Sequence, residues 1–132
     1  MQPFHDEQDN REVDSGEILW RRLVDEWIIT NREDGTVKII SAAFIDRIDG
    51  NISVHIASLT SIEEVRRAYP HSRIAALEAR VAQECGFTVV RDPQPDDPSH
   101  AILRPPPGRS KKTKISDGRH MAAGAHLVDL EQ

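Results

Sequence analysis

Six histidines and one cysteine are the residues of this 132-residue chain best suited to chemistry near neutral pH. An imidazole titrates at about 6.5 and a thiolate is a strong nucleophile. His5, His55, His71, His100, His120 and His126 are scattered, without the close spacing of a zinc site, and no second cysteine stands by to complete one. The sequence therefore offers no metal site and no cofactor motif. His55 and His100 fall on expected strands, and with Asp46 or Asp97 they form the best available acid–base set, suited to a small hydrolase or transferase. The plainer alternative places His55 on the solvent face of its strand. Cys85 could serve as a nucleophile with a histidine base, but it sits at an apolar helical position just before Gly86. A buried structural thiol is the commoner case there. No phosphate-cradling glycine loop, nucleophile elbow or HExxH helix occurs, so whether the chain is an enzyme stays open.

Two charged segments point to binding instead. The stretch Asp92-Pro-Gln-Pro-Asp-Asp-Pro-Ser99 is dense in proline and aspartate, which makes it a stiff extended loop. Asp92, Asp96 and Asp97, with His100 at its end, read first as a well-solvated turn and second as the partner-binding candidates, because binding residues concentrate on loops held by a rigid scaffold. A hard cation would suit the carboxylates, but the loop lacks the spacing and glycine of an EF-hand. The basic run Gly108-Arg-Ser-Lys-Lys-Thr-Lys114 is short, has no interleaved aromatics, and belongs to an acidic protein of pI about 5.6. Those features argue against nucleic-acid binding by the folded part. A protein partner is the better expectation.

The elements that position these residues can be read from pattern. Residues 1–17 hold Asp6, Glu7, Asp9, Glu12, Asp14 and Glu17 against Arg11, and residues 1–16 lack periodic apolar positions, as expected of a disordered acidic tail. Order should begin near Ile18-Leu19-Trp20, with Trp20 and Trp27 in the core. Glu26 to Thr30 and Thr36 to Phe44 read as a hairpin around Asn31 to Gly35. Asn51 to Ala57 alternates Ile52, Val54 and Ile56 with Ser53 and His55, the clearest strand in the chain. If that strand lies at an edge, it can pair with a second copy, so a homodimer stays open. Thr60 and Ser61, each three residues before a glutamate, open a short helix that Pro70 closes, with Ile62, Val65 and Tyr69 facing inward. Arg73 to Leu77 reads as a strand feeding a helix from Glu78, with an unbroken helix as the alternative. Gly86 ends that helix, Phe87 to Val90 is a strand, and His100 to Arg104 is the last one.

These elements make an α+β fold: a small, mostly antiparallel sheet with one or two short helices packed on it and disordered charged tails. The division is an acidic tail over 1–16, one domain over 17–104, and a proline-rich linker with a basic, weakly helical tail over 105–132. Gly124 argues against independent stability of a helix over Met121 to Leu130. One cysteine, no charged-then-apolar leader and no apolar run of about 20 residues point to a cytoplasmic protein without a membrane span.

Leu19-Trp-Arg-Arg22, Ser41-Ala-Ala-Phe44, Ile52-Ser-Val-His-Ile-Ala57 and Asp92-Pro-Gln-Pro-Asp-Asp-Pro-Ser-His-Ala101 together resemble a family of small uncharacterised bacterial proteins. The resemblance spans most of the core and implies a bacterial, intracellular, free-standing domain. It implies no activity. Where that family is expected to carry an acidic residue after Ser-Val, this chain has His55, which argues against a carried-over catalytic role.

Overall fold

A computed structural model describes residues 12–45 and 50–128. Strands β1 (Ile18–Leu23), β4 (Ile52–Ile56), β5 (Arg73–Glu78), β6 (Thr88–Arg91), β7 (His100–Arg104) and β8 (His126–Leu127) form one sheet in the order β6-β7-β4-β1-β5-β8. Every neighbouring pair is antiparallel. A separate hairpin joins β2 (Ile28–Thr30) to β3 (Val37–Ile39). Among the described residues three α-helices complete the fold: α1 (Ile62–Ala68), α2 (Ala79–Glu84) and α3 (Lys111–Ala123). No helix among the described residues is long and apolar enough to cross a membrane. The α+β architecture with a mostly antiparallel sheet is as the sequence pattern indicates.

Period-two alternation divides the sheet into two unlike faces. Leu19 and Leu23 of β1, Ile52, Val54 and Ile56 of β4, Ala75 and Leu77 of β5, and Ala101 and Leu103 of β7 form the main core with Phe44, Val81, Ala82 and Met121. The opposite face carries the intervening residues, with Trp20 paired to His55, and His55 paired to His100 across the strands. Helix α1 lies over part of that second face. Its N-cap Ser61 accepts a hydrogen bond from the Glu64 amide at 3.1 Å, as the capping pattern predicts. Arg73 to Glu78 is a strand and α2 follows at once, so the strand-then-helix reading is the correct one of the two alternatives.

Several expectations differ from the structure. The Thr36 to Phe44 strand stops at Ile39, because Ser41–Phe44 coils into a 3-10 turn that buries Ala43 and Phe44. Trp20 and Trp27 are only partly buried, and Tyr69 is exposed rather than inward. The Ile52–Ile56 strand lies between β1 and β7 and offers no edge to a second copy. Past Pro105 the chain is not a bare tail. Ser110 caps the 13-residue α3 by accepting from the Thr113 amide at 3.1 Å, and Met121 is fully buried. At the other end Val13 is buried and its amide donates to the Val89 carbonyl at 2.8 Å. The core thus draws on residues outside 17–104, and residues 1–11 of the expected acidic tail lie outside the described residues.

Helix α3 approaches the Ser41–Phe44 turn so closely that a Cβ on Gly118 would stand 2.8 Å from the Ser41 carbonyl oxygen and 3.0 Å from Ile45 Cγ1. Replacing glycine by alanine inside an exposed helix gains about 1 kcal/mol. Here Gly118→Ala is expected to lower stability by about 1 kcal/mol instead, because overpacking outweighs propensity. Met121→Ala should cost about 2–5 kcal/mol. Chemical denaturation of the two variants checks both; an undiminished midpoint for Met121→Ala would mean that α3 is not part of the core.

Candidate functional site

Strands β4 and β7 pair antiparallel with His55 opposite His100, so the two imidazoles project from the same face. Their ring centroids lie 6.2 Å apart with an interplanar angle of 83°. The eight-residue loop before β7 folds back beside them. Gln94 and Asp97 exchange backbone hydrogen bonds, both at 3.0 Å, closing a tight turn with Pro95 at the position where proline's fixed φ is most useful. The turn carries the Asp97 carboxylate down to His55.

The polar network beneath the loop is closed. Oδ2 of Asp97 lies 3.1 Å from Nδ1 of His55. Oδ1 of Asp97 accepts from the Ser99 hydroxyl at 2.6 Å and from the Ser99 amide at 3.2 Å. On the far side of the ring, Nε of Arg22 donates to Nε2 of His55 at 3.0 Å. A guanidinium can only donate, so Nε2 must be unprotonated and the ring proton must sit on Nδ1, facing Asp97. His55 is only 2% exposed. Burial pushes its pKa below the usual histidine value, Arg22 and His100 push the same way, and Asp97 opposes them without reversing the outcome.

His100 repeats the pattern at the loop's start: its Nδ1 lies 3.1 Å from the Asp92 carbonyl oxygen and 3.2 Å from Oδ2 of Asp92. Its Nε2 has no hydrogen-bond partner among the described residues. Above His55 opens a cleft of about 460 Å³, walled by Leu59 and Thr60, by Glu64, Arg67 and Tyr69 from α1 and its end, and by Asp96 and Pro98 of the loop. The Arg22 guanidinium carbon sits 3.8 Å from the centre of the Tyr69 ring, which fixes that ring at the edge of the cleft.

The structure thus gathers His55, His100, Asp92, Asp96 and Asp97 around one loop, whereas Asp46 lies outside the described residues. His55 is not on the solvent face; α1 and the loop cover it. The group also contains Arg22, Tyr69 and Ser99, which sequence reasoning did not select. Arg22 and Tyr69 reach the site only through tertiary packing. Ser99 had a local signal, since an aspartate two residues before a serine commonly accepts that residue's amide.

Serine, histidine and aspartate here share a composition with hydrolytic triads but not their connectivity. In a triad the imidazole stands between hydroxyl and carboxylate and takes the hydroxyl proton. Here the Asp97 carboxylate and the Ser99 hydroxyl both lie at the same ring nitrogen, Nδ1 of His55, at 3.1 Å and 3.3 Å; that nitrogen carries the ring proton, the hydroxyl donates to the carboxylate, and Ser99 is fully buried. Cys85 is no better placed as a nucleophile. Burial, with the nearby Asp117, pushes its pKa up to about 11, so it remains a thiol. Among the described residues, no group of three or more His, Cys, Asp or Glu side chains could hold a metal ion.

Compared with models of protein families, with curated proteins and with solved structures, the chain matches none.

Because the fold holds His55 neutral, the unfolded chain takes up a proton near pH 6.5 and the folded chain only at lower pH. Stability from this site is therefore complete above that value and is lost as pH falls from it toward the folded pKa. The thermal midpoint of the protein should fall on acidification from pH 7 to pH 5 more steeply than that of His55→Gln. Parallel slopes in differential scanning calorimetry would show that His55 is not the group responsible.

Proposed function

We propose that this protein is a non-catalytic binding module that presents the Asp92–Ser99 loop and the adjoining cleft to a protein partner. The observation that carries the reading is the closed network beneath the loop: both nitrogens of His55 and the hydroxyl of Ser99 are engaged within the protein. With Arg22 on Nε2 and the ring proton directed at Asp97, His55 has no lone pair to offer a substrate, and the network holds the loop surface in one conformation. Pre-ordering a loop lowers the entropy lost when a partner docks.

The loop's outward residues, Pro93, Gln94, Pro95, Asp96 and Pro98, are exposed. Beside them Leu59 is 42% exposed and Tyr69 38%, large apolar groups of the kind that anchor interfaces. Glu64 and Asp96 outweigh Arg67 on the cleft walls, which suits a partner surface of net positive charge.

A second reading, a small hydrolase or transferase using His55 and His100, has one observation in its favour: the two imidazoles are adjacent and Nε2 of His100 has no hydrogen-bond partner among the described residues. Arg22 on Nε2 of His55 stands against it, because a base with that nitrogen capped has no free lone pair to offer.

The discriminating experiment is affinity capture from cells of the source organism with the wild-type chain, with Leu59→Asp, and with Asp96→Lys. These positions lie outside the buried network, so the thermal midpoint should change little. The binding reading expects a specific protein that is retained by the wild type and lost by both variants. An identical captured set for all three chains, together with turnover that His100→Gln abolishes, would replace it with the enzymatic reading.

A further inference from the structure

On the other side of the molecule, a groove of about 990 Å³ runs between the hairpin and the last strand of the sheet. One wall is the continuous stretch of residues 35–41, the other is Ala125, His126 and Leu127, and Ala122 and Ala123 of α3 form the floor. Two consecutive backbone stretches make these walls, and among the described residues both are strand edges: β3 pairs only with β2, and β8 only with β5.

The pairing register decides which backbone groups face the groove. In the hairpin, the Ile40 amide donates to the Trp27 carbonyl at 2.9 Å and the Asn31 amide to the Thr36 carbonyl at 2.8 Å. Hydrogen-bonded and non-hydrogen-bonded pairs alternate in an antiparallel ladder. Lys38 opposite Ile29 is therefore a hydrogen-bonded pair, and the amides and carbonyls of Val37 and Ile39 point away from β2. Opposite, the Val128 amide donates to the Ile74 carbonyl at 3.0 Å, and the same alternation turns the peptide groups of Leu127 away from β5. None of these outward groups of Val37, Ile39 and Leu127 has a hydrogen-bond partner among the described residues.

The charge of the groove is one-sided. Lys38, Arg119 and His126 line it, and among the described residues no carboxylate does. Lys38 and Arg119 form no ion pair with a described residue. The apolar content comes from Val37, 38% exposed, and from Ile39, Leu127 and the alanines.

We propose that this groove takes an extended acidic segment of a partner protein as an added strand, hydrogen-bonded to the outer edge of Val37–Ile39 and with its carboxylates on Lys38 and Arg119. Strand addition draws its affinity from main-chain hydrogen bonds and its specificity from alternate side chains. The outward amides supply the first, and the cations with Val37 supply the second. A second copy of this chain is the wrong occupant, because paired β3 edges would bring Lys38 against Lys38, a charge arrangement that natural edge strands use to prevent self-association. The site is separate from the Asp92–Ser99 loop and does not depend on how that loop is used.

Fluorescence anisotropy with the full chain tests the proposal, using a labelled, acetylated heptapeptide of alternating glutamate and valine. Two comparison peptides replace glutamate by lysine or carry N-methyl groups on alternate amides. The acidic peptide should bind, and each comparison peptide should bind at least about tenfold more weakly, the equivalent of about 1.4 kcal/mol. Lys38→Glu combined with Arg119→Glu should weaken the acidic peptide by a similar factor, and added salt should do so progressively. Val37→Pro removes an outward amide without touching the bonds to β2, a position where a strand tolerates proline, and should also weaken binding. Equal binding of the acidic and lysine peptides, no loss on N-methylation, or no binding of the acidic probe overturns the proposal. Concentration-dependent self-association in sedimentation that Val37→Pro abolishes also overturns it, in favour of a second copy. If Val37→Pro fails to fold, the N-methylated peptide decides the backbone contact alone.

Discussion

A buried imidazole that accepts a hydrogen bond on one nitrogen must be neutral, and its other nitrogen must then donate. His55 meets both conditions, with Arg22 donating to Nε2 and Asp97 accepting from Nδ1. Much of the second sheet face depends on this polarity. Arg22 is held so that its guanidinium lies against Tyr69, which sets the end of α1. Asp97 is held so that its other oxygen takes both the hydroxyl and the amide of Ser99, which sets the last turn of the loop before β7. Reversing the ring's proton position would place two donors face to face at Arg22 and set Oδ2 of Asp97 against a nitrogen lone pair. An unsatisfied buried group of that kind costs about 1–3 kcal/mol, comparable to the net worth of several ordinary hydrogen bonds.

The two faces of the sheet are stabilised by different means. One buries a continuous apolar cluster in which helices α2 and α3 supply Val81, Ala82, Met121 and Ala122. That burial is non-directional and tolerates modest change of shape. The other face has a short helix, few buried apolar residues and a chain of directional polar contacts from Arg22 to Ser99. Directional contacts specify one arrangement of the groups they join, and this is the face on which the loop and the cleft are displayed. Arg109 extends the same logic at the far end, where its guanidinium binds Asp117 at 3.0 Å and lies 4.8 Å from the Phe87 ring centre, tying α3 to the start of β6.

Local pattern made most of the sheet legible. Alternation at Ile52–Ile56, the caps before α1, the strand-to-helix change at Glu78 and the glycine after α2 all report on neighbours within a few residues. Helix α3 was not legible as part of the core because its buried positions are Gly118, Met121 and Ala122, two of them too small to mark an apolar stripe. Small size is what its position demands, since the helix backbone passes close to Ser41. The order of the strands was hidden for a related reason. Nothing local states that the chain places β4 between β1 and β7, so neither its central position nor the burial of His55 could be read from its alternation.

The candidate site divides along the same line. Asp92, Asp96, Asp97 and His100 lie within one short stretch whose proline content announces a stiff loop, and the sequence is enough to single them out. Arg22 is 33 residues from His55, and its role exists only because β1 and β4 are neighbours in the sheet. Yet Arg22 is the residue that decides the chemistry. Without a donor on Nε2, the Asp97–His55 pair would look like half of an acid–base relay with a free lone pair; with it, the same two residues become a fastening for the loop. Side-chain inventory therefore suggests reactivity at this position, and the third partner, contributed by tertiary structure, makes the same groups a support for the loop.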